Sequence, residues 1–226
     1  MDGNGRWARK RGLPRAAGHK AGAKAVKRAI EAADELGIKY LTLYAFSVEN
    51  WSRPQDEISG LMQLLVDTLR SELNAFHEKN IRLNLIGRWR ELESGIVEEL
   101  QKALDKTANN TAGVLTLALN YGGRAEITDA ARAIAGEAAA GNMDPALIDE
   151  RILNEHMSTA GLPDPDLLIR TSGEMRVSNF LLWQIAYTEF WVTDDFWPDF
   201  DRTHMIAAVS DFQKRRRTFG GLKEGD

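Results

Sequence analysis

Cysteine is absent from the 226-residue chain. That excludes a disulfide framework, a thiol nucleophile and a Cys-ligated metal. Long apolar runs are also absent, and none approaches the ~18 residues that read as a membrane span. Residues 1–30 are basic and glycine-rich with no apolar h-region, so no signal peptide is expected and a cytoplasmic home fits. The 4 histidines show no H-x-x-x-H or H-E-x-x-H spacing, which argues against a zinc site. No G-x-S-x-G elbow supports a hydrolase. No Gly-Lys-Ser or Gly-Lys-Thr supports a Walker A loop. A large excess of one charge is missing as well: 29 Lys+Arg face 33 Asp+Glu, a net charge of -4. A nucleic-acid partner is therefore not expected, because such binders are usually basic over the whole domain. With 43% hydrophobic and 27% charged residues, the composition is that of a globular protein, neither disordered nor a coiled-coil rod.

What is present is a local asymmetry. Residues 1–28 carry nine basic side chains and one acid, Asp2, while the remainder holds 20 basic and 32 acidic residues. A basic, glycine-rich segment on an acidic protein suggests an anion site; a solvated basic helix face is the plainer alternative. Gly3-Asn4-Gly5-Arg6-Trp7-Ala8 formally matches G-x-G-x-x-A. The dinucleotide fingerprint also needs a strand before it and an acid about 20 residues on, and position 24 is Lys24. What is left is a flexible loop whose backbone N–H groups can approach phosphate, with Arg6 and Arg15 nearby. A lone carboxylate beside phosphate is repelled unless Mg2+ intervenes; otherwise Asp2 is a capping residue. The aromatic cluster Trp183, Tyr187, Phe190, Trp191, Phe196, Trp197 and Phe200 reads as core or dimer interface rather than a base-stacking platform, having few interleaved basic residues.

Apolar spacing predicts helices over 19–36, 55–76, 96–104, 124–140, 146–157, 180–185 and 202–216. Strands are expected over 40–46, 81–86, 114–119, 166–170 and 189–193. This alternation implies βαβ units and one α/β domain, 1–226, with a mostly parallel sheet flanked by helices. Ligands in such sheets bind beyond the carboxyl ends of the strands. The polar clusters Ser47-Val48-Glu49-Asn50, Asn120-Tyr121-Gly122-Gly123-Arg124 and Arg170-Thr171-Ser172-Gly173-Glu174 fall at such ends.

Met1-Asp2-Gly3-Asn4-Gly5-Arg6-Trp7-Ala8 resembles the signature loop of the cis-prenyltransferases, the undecaprenyl diphosphate synthase family. The resemblance continues in order through Gly18-His19, Leu43-Tyr44-Ala45-Phe46-Ser47, Glu49-Asn50-Trp51-Arg53-Pro54 and Asn120-Tyr121-Gly122-Gly123-Arg124. It ends with Arg170-Thr171-Ser172-Gly173-Glu174, Arg176-Ser178-Asn179-Phe180, Trp197-Pro198-Asp199-Phe200 and Phe219-Gly220-Gly221. Each piece is only suggestive, but the set is specific and covers nearly the whole chain.

The resemblance implies a homodimeric α/β transferase with about six strands. It would condense isopentenyl diphosphate onto an allylic diphosphate, usually farnesyl diphosphate, and make a long-chain cell-wall lipid carrier such as undecaprenyl diphosphate. That lipid product implies peripheral membrane contact. Asp2 would hold Mg2+ and assist departure of the allylic diphosphate. Gly3, Asn4, Gly5, Arg6, Arg15 and His19 would cradle that diphosphate, with Trp7 in the same loop. Arg170, Arg176, Val177 and Ser178 would take isopentenyl diphosphate, with Glu189 near its Mg2+. Ser47, Val48, Glu49, Asn50, Trp51 and Arg53 would line the reaction centre.

A neutral amide is a poor base, so a diphosphate oxygen is the better proton acceptor and Asn50 orients water or substrate. The 55–76 helix and the sheet face would supply an apolar tunnel for the growing chain, with Gly113 near its floor. Two departures stand out. Met175 replaces the His that some members carry, and Met is a poor ligand for hard Mg2+. The apolar strand that precedes the loop in relatives is also missing, so the sheet is expected one strand short and residues 1–6 loosely held. The alternatives are a short- or medium-chain synthase, a non-catalytic partner subunit and, more distantly, a nucleotide-binding oxidoreductase.

Overall fold

The computed structural model describes residues 1–216. The Phe219-Gly220-Gly221 part of the resemblance lies outside them. Apolar-rich runs form the central strands. These are β1 (Tyr40–Ser47), β2 (Ile81–Ile86) and β3 (Gly113–Tyr121), paired parallel in the order β1-β3-β2. β3 lies in the middle and is buried from Leu115 to Tyr121; its Leu117 faces Leu43 on one side and Leu85 on the other. β4 (Leu167–Arg170) and β5 (Glu189–Val192) form a second parallel pair. The mostly parallel α/β architecture is as expected, with the strands divided three and two.

The helices are α1 (Asn4–Lys10), α2 (Arg15–Glu35), α3 (Gln55–Glu78), α4 (Ser94–Thr107), α5 (Gly123–Ala139), α6 (Glu150–Glu155) and α7 (Arg202–Lys214). α3 shows why its sequence folds as it does. Pro54 precedes its first turn, Asp56 and Glu57 complement the positive helix start, and Ile58, Met62, Val66, Leu69 and Phe76 form the buried stripe. Of these, Ile58, Met62, Leu69 and Phe76 join Leu43, Phe46, Leu83, Leu100, Leu115 and Leu117 in the main core. Each contributes roughly 1.5–3 kcal/mol when fully buried.

The structure corrects several expectations. The glycine-rich segment is not a flexible loop but helix α1, entered from Gly3 at φ 94. Residues 1–6 are firmly tied. The Asp2 N–H donates to Thr171 Oγ1 (3.2 Å), the Thr171 hydroxyl and the Trp197 N–H both donate to the Asp2 carbonyl (3.1 and 2.9 Å), and the Trp7 N–H donates to the Gly3 carbonyl (2.8 Å). The 146–157 helix is a short 3-10 turn, Pro145–Leu147, followed by α6, each opened by its own aspartate cap, Asp144 and Asp149. Residues 180–185 are turns rather than helix, because Ser178, Asn179 and Leu181 all have positive φ. The aromatic cluster divides: Trp197 and Phe200 are core, stacked on each other, while Tyr187 and Phe190 are exposed.

Candidate active site

The site lies at the carboxyl ends of β1, β3 and β4, where α1 meets α2. The approach is close because α2 has glycines at the crossing. A Cβ on Gly18 would lie 2.0 Å from the Asn4 carbonyl oxygen, and one on Gly22 would lie 2.5 Å from Asn4 Oδ1. Gly3 has no room either, with Ser172 Oγ 2.2 Å from where its Cβ would be. Gly5 leaves space for the Arg15 guanidinium, whose Cζ would be 3.3 Å from its Cβ.

Asp2 is the anionic centre of the first cluster. Its carboxylate accepts from the Gly3 N–H (2.6 Å) and from Arg170 (3.0 Å), and it pairs with Arg6 (3.4 Å). Partial burial works against its charge, but the Gly3 N–H, Arg170 and Arg6 hold its pKa below the ordinary aspartate value. Arg170 also donates to Ser178 Oγ (3.3 Å). Glu174 links Arg6 (2.8 Å) to Arg176, joining the two loops. Arg170 Nε, Ser172 Oγ and Asn4 Oδ1 are buried with no partner among the described residues.

The second cluster centres on Glu57. One oxygen, Oε1, takes Arg15 (3.0 Å), Arg53 (3.0 Å) and His19 Nε2 (3.2 Å). Burial opposes the Glu57 charge, yet Arg15, Arg53 and His19 keep its pKa low. Burial, with Arg53 and Arg15 assisting, pulls the His19 pKa down against the upward pull of Glu57. Asn50 is held by its own turn: Oδ1 accepts the Ser47 N–H (3.1 Å) in a capping box that starts the 3-10 turn Val48–Ser52. Trp51 Nε1 donates to Asn120 Oδ1 (2.7 Å). Glu49 accepts from Asn179 (2.7 Å), and Val48 packs where a Gly122 Cβ would be.

Behind these residues lies an apolar cavity of about 140 Å³. Gly22, Ala23 and Val26 of α2, Leu61, Leu65, Leu69 and Phe76 of α3, and Ala45, Leu115 and Leu117 of the sheet line it. Asn4 and His19 stand at its polar end. Gly113 does not line it but faces a separate cavity at the other end of the sheet; Leu115 borders both.

Not every expected residue joins the site. Trp7 instead pins α1 to the 197–200 turn, its Nε1 donating to Asp199 Oδ1 (2.7 Å). Val177 is half-buried, its carbonyl accepting the Phe180 N–H (3.1 Å). Met175 is exposed. Glu189 begins β5 and pairs with Arg215 (2.8 Å), whereas Asp2 sits by Thr171, past the opposite end of β4. Among the described residues no group of three or more His, Asp or Glu side chains could hold a metal. Mg2+ needs no such cage, since one carboxylate with substrate phosphates and water suffices, and Asp2 fits that role.

Three supporting residues escaped the sequence reading. Glu57 stands four residues after Arg53, an i,i+4 pair that spacing could have flagged. Glu174 lies in the Arg170–Glu174 cluster, where spacing gives no sign of its partner Arg6 in the distant N-terminal segment. Glu126 is buried and accepts from Tyr121 (2.6 Å), Gln184 (3.0 Å) and the Ser158 N–H (3.1 Å), fastening the 178–185 turns. Burial and Glu126 together push the Tyr121 pKa up.

The family model for undecaprenyl diphosphate synthase matches residues 1–220. An isoprenyl transferase from Heliobacterium mobile is 56% identical over 223 residues, covering 99% of this chain and 86% of the relative. A (2E,6E)-farnesyl-diphosphate-specific ditrans,polycis-undecaprenyl-diphosphate synthase from Xylella fastidiosa is 49% identical, covering 97% and 86%. Lavandulyl diphosphate synthase from Lavandula x intermedia, solved with dimethylallyl diphosphate, superposes with a TM-score of 0.95 at 36% identity, covering 98% of this chain and 95% of that one. Site geometry, family model and relatives agree: the chain belongs to the undecaprenyl diphosphate synthase family of prenyltransferases and is a transferase.

Proposed function

We propose that the protein lengthens farnesyl diphosphate with isopentenyl diphosphate to a long-chain cis-polyprenyl diphosphate of the undecaprenyl class. The observation that carries this reading is the junction of a paired-arginine site with an apolar cavity, Asn4 and His19 standing where the two meet. Two diphosphates side by side need several cations, and Arg forks bind phosphate oxygens bidentately.

In this reading Arg6, Arg15, His19 and the 3–5 backbone hold the allylic diphosphate. Arg170, Arg176 and Ser178 hold isopentenyl diphosphate. The allylic carbon–oxygen bond breaks, and the terminal carbon of isopentenyl diphosphate forms the new carbon–carbon bond. Positive charge falls on the methyl-bearing carbon next to it. C2, on the far side of that carbon, loses a proton to a diphosphate oxygen to close the new double bond. Asn50, its carbonyl committed to Ser47, offers its amide N–H groups to orient water or substrate. Asp2 would hold Mg2+ together with diphosphate oxygens, and that ion would neutralise the departing diphosphate. Glu189 is engaged by Arg215, so the reading draws no metal ligand from it within one chain. Catalysis is then mostly positioning and preorganised charge.

We further read the chain 1–226 as one catalytic domain that works in the cytoplasm as a homodimer, with exposed Tyr187 and Phe190 in the interface, and that meets the membrane through its product. No helix among the described residues is long and apolar enough to cross a membrane. Incubation with labelled isopentenyl diphosphate, farnesyl diphosphate and Mg2+ should give one dominant long product on chromatography. Products stopping after one or two additions would favour a short-chain synthase, and none at all would favour a non-catalytic subunit.

A further inference from the structure

We propose that the outer face of α2 and the α1–α2 tip form a docking surface for an anionic lipid bilayer. The inference rests on the reading that the product is a polyprenyl lipid, and names the surface through which the protein meets a membrane. Residues 9–28 contain eight basic side chains and no acid, although the whole chain is net -4. Four of the eight are already engaged. Arg28 donates to the Pro198 and Phe200 carbonyls, while Arg11 pairs with Asp199, Arg15 with Glu57 and Lys27 with Glu72. The other four, Arg9, Lys10, Lys20 and Lys24, are exposed and have no acidic partner among the described residues.

Their placement fits one flat, negative, apolar-centred partner. Lys20, Lys24 and Lys27 recur at i, i+4 and i+7 on the solvent side of α2, next to the Ala23 and Val26 face that lines the apolar cavity. Arg9 and Lys10 lead into the tip, where Gly12 turns the chain and Leu13 and Pro14 stand exposed, Leu13 at 44%. The acids of α2, Glu31, Asp34 and Glu35, begin only past Arg28, so the charge is polarised toward the site. A bilayer offers both complements, anionic headgroups to the cations and an apolar boundary to Leu13. Two weak signals together are what reversible membrane anchoring needs. The rest of the chain is acidic and is repelled, which leaves this face as the one presented.

Each Lys or Arg near an anionic surface changes partition about fivefold. The four free cations therefore shift it by roughly two to three orders of magnitude. The test is flotation of the whole protein, without substrate, on vesicles of phosphatidylcholine alone or mixed with phosphatidylglycerol, at low and high salt. The protein should float only with the mixed vesicles, and release as salt screens the charges. Lys20→Gln with Lys24→Gln should cut partition about 25-fold, and Leu13→Ser should weaken it separately. Turnover in detergent should be unchanged, because neither lysine belongs to the substrate site; that assay also separates failure of docking from failure of the enzymatic reading. Equal flotation with both vesicle types, none with either, or undiminished flotation of the double variant overturns the proposal. So does salt-sensitive binding of a single-stranded RNA without flotation.

Discussion

Adding one methyl group at Gly18 and at Gly60 should act in opposite directions. Both glycines are in helices, α2 and α3, so the change in helix propensity alone favours Ala by about 1 kcal/mol at each. Around Gly60 there is nothing within 4 Å of the new Cβ, and Gly60→Ala should raise Tm by roughly 2–4 °C. At Gly18 the Cβ would sit 2.0 Å from the Asn4 carbonyl oxygen and 3.1 Å from Ala8 Cβ. Ordinary contact begins near 3.4 Å, so α1 must retreat by an ångström or more. Overpacking of this kind costs about 1–3 kcal/mol. The retreat also drags Asn4, Arg6 and the Asp2 carboxylate off their positions, and a misplacement of about 1 Å can cost 100-fold in rate. Gly18→Ala should therefore lower Tm by several degrees and turnover by about two orders of magnitude. Thermal unfolding followed by circular dichroism, with turnover on the same samples, checks both. If Gly18→Ala is as stable and active as Gly60→Ala, the close α1–α2 crossing does not position the site.

Asp2→Ala should lower turnover about 100-fold, the scale of one preorganised electrostatic group, while circular dichroism shows the fold retained. Arg170→Ala and Arg176→Ala should raise the KM for isopentenyl diphosphate more than that for farnesyl diphosphate, and Arg15→Ala the reverse; steady-state kinetics with each substrate varied reads the split. His204 is partly buried, which lowers its pKa, but Asp201 (2.8 Å) and Asp195 (3.0 Å) raise it overall. Its contribution is thus full below pH 6.5 and is lost as pH rises through the higher folded value. The Tm gap between wild type and His204→Gln should be widest in mild acid and shrink in mild alkali.

The strands and α3 were legible because burial writes a simple pattern. Leu41, Leu43 and Phe46 leave little polar surface, and the α3 stripe repeats at helical spacing. α1 was not legible because Gly3-Asn4-Gly5 has poor helix propensity, and the helix is held by tertiary contact. Ala8 is fully buried, and Asn4 fits against Gly18 and Gly22. Such contacts override propensity. The 180–185 segment carries helix-like apolar spacing, yet its backbone is bent around buried Glu126 and Gln184. The acid–base partners at the site could not be read linearly, because Glu57 finds Arg15 across 42 positions and Arg170 finds Asp2 across 168. The Glu189–Arg215 pair at the start of β5 was equally hidden, because its partners lie 26 positions apart.

The central claim is that the arginine-lined site feeds its product into the α2–α3 cavity. It is tested most directly by product length in a variant that narrows only that cavity. Ala23 lines it, and its methyl group carries no hydrogen-bonding atom for either arginine cluster. With labelled isopentenyl diphosphate, farnesyl diphosphate and Mg2+, Ala23→Leu should still perform the first condensation but stop at shorter products than wild type. An unchanged product length from a folded, active Ala23→Leu enzyme would contradict the account.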